Sequence, residues 1–119
     1  MSSKSQPAEL IEAFTQFVLE TLASKRAENV VRLDISELSH ITDEFMIATV
    51  TSTPQARAIV DACEIERKKR GLTCVGIEGA SGSSWVVLDY GDFVVHMFTP
   101  EAREFYGLEH LWADAPRIG

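Results

Sequence analysis

Two carboxylates stand close together at Asp89 and Asp92. Paired carboxylates can hold a divalent cation and support group transfer on a phosphate. The spacing here is D-x-x-D, interrupted by Tyr90 and Gly91. Glycine tolerates positive φ and aspartate bonds its own backbone, so a tight turn accounts for the same four residues without a metal. The three histidines, His40, His96 and His110, are far apart and form neither an H-x-x-x-H pair nor a cluster with cysteine. His96 follows Phe93-Val94-Val95 and reads as a structural histidine with its hydrogen bonds satisfied inside a strand. Cys63 and Cys74 make no C-x-x-C pair and read as buried free thiols. Ser83 and Ser84 belong to no G-x-S-x-G elbow. The small-residue loop 78–84 leads into a strand instead of a helix N-terminus and lacks the lysine of a phosphate-binding loop. No catalytic residue, metal or cofactor is therefore expected.

The remaining chemistry is that of binding. Residues 84–112 hold both tryptophans, both tyrosines and three of the six phenylalanines. Trp85 opens a strand, Tyr90 falls in a turn where exposure is expected, and Tyr106, Leu108, Leu111 and Trp112 follow. Large aromatics at turns and rims anchor protein interfaces. Core filling would use the same residue types, and one of the tryptophans is expected to serve there. Strand alternation places Trp85, Val87 and Asp89 on one face. An aspartate is not buried unpaired, so Trp85 is expected to share the exposed face of Asp89, ahead of Trp112 as the surface anchor.

Charge points the same way. The net charge is −7, and residues 78–114 carry seven acids against the single base Arg103. A phosphate backbone would be repelled there, so little direct nucleic-acid contact is expected. A basic protein would be attracted and steered. The basic run Arg67-Lys68-Lys69-Arg70 stands at a helix C-terminus, where complementing the dipole explains it.

These residues must be positioned by a small domain. A chain of 119 residues is one domain with a core of ordinary size. No apolar run approaches the roughly 20 residues that cross a bilayer, and the N-terminus has no apolar signal core. A cytoplasmic location without membrane contact is expected. Apolar spacing predicts a helix over 7–25, with Leu10, Ile11, Phe14, Phe17, Val18 and Leu22 on one face. Strands are expected over 29–35 and 45–51, then a helix over 52–70 ended by Gly71. Strands over 73–77, 85–89 and 93–98 follow, the last two joined by the Gly91 turn. Thr99-Pro100 opens a final helix: proline fits the first turn and threonine can cap it. The order α-β-β-α-β-β-β-α implies a five-stranded mixed sheet with flanking helices, an α/β domain of the α+β kind. Short connections imply antiparallel pairs and the helical crossover a parallel one. Residues 1–6 and 114–119 read as flexible tails.

One resemblance covers nearly the whole chain. The run G-x-S-W-V-V-L-D-Y-G-D-F-V-V-H-M-F, followed by R-E-F-Y-G-L-E-H-L-W, resembles the ribosomal silencing factor family, also called Iojap-like. The D-E-F-M-I-A-T-V-T-S strand and the E-G-x-x-G lead-in fit as well. The resemblance implies a nucleotidyltransferase-like fold and a factor that binds protein fourteen of the large ribosomal subunit. Such a factor blocks docking of the small subunit and represses translation when nutrients are short. It implies a contact region of Trp85, Asp89, Tyr90, Asp92, Tyr106, Leu108, Glu109, Leu111 and Trp112, and a homodimer when free. The alternative is a nucleotidyltransferase using Asp89 and Asp92 with a divalent metal. Such enzymes carry a G-S pair followed at a distance by D-x-D. Here Gly82-Ser83 precedes Asp89 by only six residues, and the second acid follows as D-x-x-D.

Overall fold

The computed structural model describes residues 6–119. The chain runs α1 (Ala8–Ser24), β1 (Glu28–Asp34), β2 (Glu44–Thr49), α2 (Thr53–Lys69), β3 (Gly76–Glu78), β4 (Trp85–Asp89), β5 (Phe93–Phe98), α3 (Pro100–Tyr106) and α4 (Leu108–Leu111). This is the expected order, except that Gly107 divides the last helix. Its φ of +56° is left-handed, a conformation that costs glycine nothing and ends α3 abruptly.

The strands form one mixed sheet in the order β1-β2-β5-β4-β3. β1 and β2 pair antiparallel, as do β4 with β5 and β3 with β4. The helix α2 carries the chain from β2 to the far edge at β3. Two antiparallel steps then bring it back, so that β5 lies parallel beside β2. The crossover thus produces a parallel pair with the third strand after it, not with the next one. Every residue of β5 is buried, as suits a central strand covered on both faces.

Local chemistry explains the ends of the elements. The Ser52 side chain caps α2 by accepting from the Gln55 N–H, with Thr53 and Pro54 in its first turn. Thr99 caps α3 by accepting from Ala102. Gly91, at φ +87°, makes the two-residue hairpin turn, closed by the Tyr90 N–H donating to the Phe93 carbonyl at 3.0 Å. β3 is shorter than the expected strand, and Cys74 lies outside it, half-buried, while Cys63 is fully buried.

The two faces of the sheet differ. On one, α1 and α2 bury the main core, including Phe14, Val18, Leu22, Ile59, Cys63 and Val95. On the other, a smaller cluster of Leu33, Ile35, Ile47, Phe98, Ala102 and Ala115 is covered only by α3, α4 and the C-terminal segment.

Described residues of both expected tails make hydrogen bonds to the body of the fold. Residues 1–5 lie outside the described residues, but Gln6 accepts from the Thr73 N–H at 2.7 Å. Residues 116–118 run along the outer edge of β1. Asp34 N–H donates to the Pro116 carbonyl, Ile118 N–H to the Arg32 carbonyl, and Leu33 bridges Arg117. Residues 114–119, expected as a flexible tail, hold these hydrogen bonds to β1. Buried Ala115 anchors the segment, and an unpaired strand edge offers it hydrogen bonds.

Candidate partner-binding face

The thinly covered face of the sheet is built by strand alternation. Register places Phe45 opposite Val94 and Ile47 opposite His96; from the other side Trp85 stands opposite Phe98, Val87 opposite His96 and Asp89 opposite Val94. All of these project to the side away from α1 and α2. The result is a ring cluster. Trp85 lies 4.9 Å from Phe98 and 4.7 Å from Tyr106, centroid to centroid. Phe45 meets His96 edge-on at 4.6 Å and Trp112 edge-on at 5.3 Å.

Helices α3 and α4 close part of this face and extend it outward. Tyr106 is 45% exposed, and Leu111 is 76% exposed. Leu108 and Trp112 are partly buried against the small core. Trp85 is half-buried as well, and its shared face with Val87 and Asp89 is as expected. The preference for Trp85 over Trp112 as the surface anchor has no counterpart here. Both tryptophans are half-buried against one cluster.

Arg103 holds this arrangement together. Its Nε and Nη2 donate to the two carboxylate oxygens of Glu109 at 2.9 and 3.2 Å, and its Nη1 donates to Thr49 Oγ1 at 2.9 Å. The fork thereby ties α4 to α3 and both to β2. Arg103 keeps the Glu109 carboxyl below the usual carboxylate range, against the opposing effect of burial. Glu109 is therefore spent largely inside the fold. Glu101, Glu104 and Asp114 remain exposed around the cluster.

Tyr90 requires correction. It was expected in an exposed turn but is 1% exposed, on the α1/α2 side. Its ring meets Phe14 edge-on at 5.0 Å, and its hydroxyl donates to Glu64 Oε2 at 2.8 Å. Alternation explains it: Val86, Leu88 and Tyr90 share the face that α1 and α2 cover. Burial and the Glu64 carboxylate push the phenol pKa upward.

Asp89 and Asp92 are adjacent in sequence but do not share one surrounding. Asp89 Oδ1 accepts from the Gly91 N–H at 2.9 Å, the turn-forming bond anticipated for it. Asp92 lines a cleft of about 380 Å³ between α1 and the start of β2 and β5, with Glu12, Arg32, Asp43 and Glu44. Gln6 Nε2 lies 3.5 Å from its Oδ2. Among the described residues no group of three or more histidine, cysteine, aspartate or glutamate side chains is arranged to hold a metal ion.

Four contributors escaped the sequence reading. Phe105 is 81% exposed and packs edge-on to Tyr106 at 5.1 Å. Its position four residues after the exposed Glu101 was the available signal. Phe45 and His96 were read only as strand residues, although register makes them the floor of the cluster. Gly79 is another silent participant: a Cβ there would stand 2.2 Å from the Trp85 carbonyl oxygen, so the loop can approach the start of β4 only without a side chain.

The sequence also matches a family model described as "Ribosomal silencing factor during starvation" over residues 7–119. This chain belongs to the ribosomal silencing factor family. The ribosomal silencing factor of Haemophilus influenzae is 40% identical over 101 residues, which are 85% of this chain and 99% of that one. A mouse protein named for mitochondrial assembly of the ribosomal large subunit is 31% identical over 80% of this chain and 43% of its own length. The crystal structure of a Chromobacterium violaceum protein superposes with a TM-score of 0.79 at 31% identity, covering 87% of this chain and 86% of that one. The mixed five-stranded sheet with flanking helices is thus the silencing-factor fold. Among the described residues no helix is long and apolar enough to cross a membrane.

Proposed function

We propose that this chain binds the large ribosomal subunit and keeps the small subunit from joining it, lowering translation when nutrients are short. The partner is a basic ribosomal protein, protein fourteen of the large subunit, held at the aromatic face. One observation carries the reading. A cluster of Trp85, Tyr106 and Trp112, extended by Leu108, Leu111 and Phe105, is left half-covered and ringed by exposed acids. An apolar centre with a charged rim suits a protein partner of opposite sign. Tyr90 contributes from beneath and is not itself a contact. The names of the relatives support the ribosomal setting, and the mouse protein's name supports the large subunit.

The test is sedimentation with purified large and small subunits. The chain should migrate with the large subunit alone and reduce the yield of joined ribosomes. Trp85→Ala should weaken binding by about 2 kcal/mol, some thirty-fold, as expected for a central aromatic anchor. Co-migration with the small subunit, or with neither, would refute the proposal.

A further inference from the structure

His96 stands in the middle of β5, the most buried strand, and is itself 7% exposed. Its two cross-strand partners are Ile47 and Val87, and its ring lies among Phe45, Trp85 and Phe98. An aliphatic or aromatic side chain would fill this site without the desolvation cost of an imidazole. The imidazole has one hydrogen bond. Its Nδ1 accepts from the Trp85 indole Nε1–H at 3.1 Å. Nδ1 must therefore be unprotonated, which places the ring proton on Nε2. That Nε2 is buried and finds no hydrogen-bond partner among the described residues. The histidine thus gains nothing from its second nitrogen. What it supplies is an acceptor aimed at the neighbouring strand.

The recipient is the half-buried tryptophan at the edge of the binding face. Trp85 lies diagonally across from His96, since its direct partner is Phe98, two residues further on. Ring contacts with Phe98 and Tyr106 would permit an indole to slide or flip, because stacking discriminates poorly between orientations. A directional bond from the indole N–H removes that freedom.

We propose that His96 is a positioning residue: by accepting from the Trp85 indole it fixes the plane and direction in which Trp85 meets its partner. The functional half of this statement rests on Trp85 being a partner contact, as proposed above. The structural half stands on the hydrogen bond alone.

The experiment uses ¹⁵N-labelled full-length protein and two variants. His96→Phe keeps an aromatic ring and removes the acceptor. His96→Gln restores an acceptor on a flexible chain. Each tryptophan gives one indole N–H resonance, and Trp112→Phe identifies which belongs to Trp85. In the parent protein the Trp85 signal should be shifted downfield and exchange slowly with solvent. In His96→Phe it should move upfield and exchange faster, with no loss of melting temperature. Affinity for the large subunit should then fall roughly three- to ten-fold, the worth of one oriented hydrogen bond. His96→Gln should recover most of both losses. An unchanged indole signal in His96→Phe would overturn the proposal. So would full affinity in a variant whose indole bond is demonstrably lost. If the parent protein fails to bind the large subunit while the indole signals behave as described, the ribosomal reading fails and the orienting role of His96 survives.

Discussion

Trp85 opens β4 and Tyr90 follows its last residue, and both resemble interface anchors in sequence, yet only Trp85 faces the open side. The Tyr90 hydroxyl serves Glu64, which is also gripped by Arg67 at 2.7 Å. Tyr90→Phe should therefore cost about 1 kcal/mol in denaturant unfolding and leave large-subunit binding unchanged. A drop in binding without a drop in stability would return Tyr90 to the interface. The misreading has a physical origin. A turn residue is exposed by default, but the last residue before a two-residue turn still follows the alternation of its strand. Here that alternation points at α1. The same rule places Trp85 and Asp89, the two ends of β4, on the opposite face. His96 was legible as structural, whereas its bond to Trp85 was not, since cross-strand diagonals depend on a register that sequence does not fix.

Elements acquire their positions through few contacts, and α4 is the clearest case. It has four residues and buries none of them. Its hold on the sheet runs through the Arg103 fork to Glu109 and Thr49 and through the edge of Trp112 against Phe45. Arg103→Ala should destabilise the fold by roughly 1–3 kcal/mol, because Thr49 and Glu109 lose a shared charged donor. A double-mutant cycle with Glu109→Ala should return a coupling of at least about 1 kcal/mol. The exposed approach of Arg117 to Glu109, at 3.9 Å, should add little. Helix and strand identities, their order and the Thr99 cap were readable from periodicity and capping chemistry. The route of the parallel pair was not, because the α2 crossover specifies a direction and leaves the neighbour open. Nor was the fork, whose partners Arg103 and Thr49 lie 54 positions apart.

At the scale of the molecule, charge and acidity separate two kinds of dependence. The exposed acids around the ring cluster act over a Debye length, so raising salt should slow association with a basic partner more than it speeds dissociation. Stopped-flow rates that ignored salt would argue against steering. Stability should instead follow His96. Burial among uncharged neighbours pushes its pKa down to about 4, below the ordinary value of 6.5. Unfolded chains bind the proton first as pH falls, so the folded state loses stability from about pH 6.5 downward. The loss should approach about 3 kcal/mol near pH 4, and urea unfolding of His96→Phe should lack that component.

The C-terminal segment along β1 also decides how copies of the chain can grow together. Residues 116–118 are hydrogen-bonded to residues 32–34 at one border of the five-stranded sheet, which blunts strand addition there, and the short β3 forms the other border. An object with a single adhesive side makes a closed pair and then stops. Filaments and ribbons need two such sides, and the C-terminal segment blunts one of them over residues 32–34.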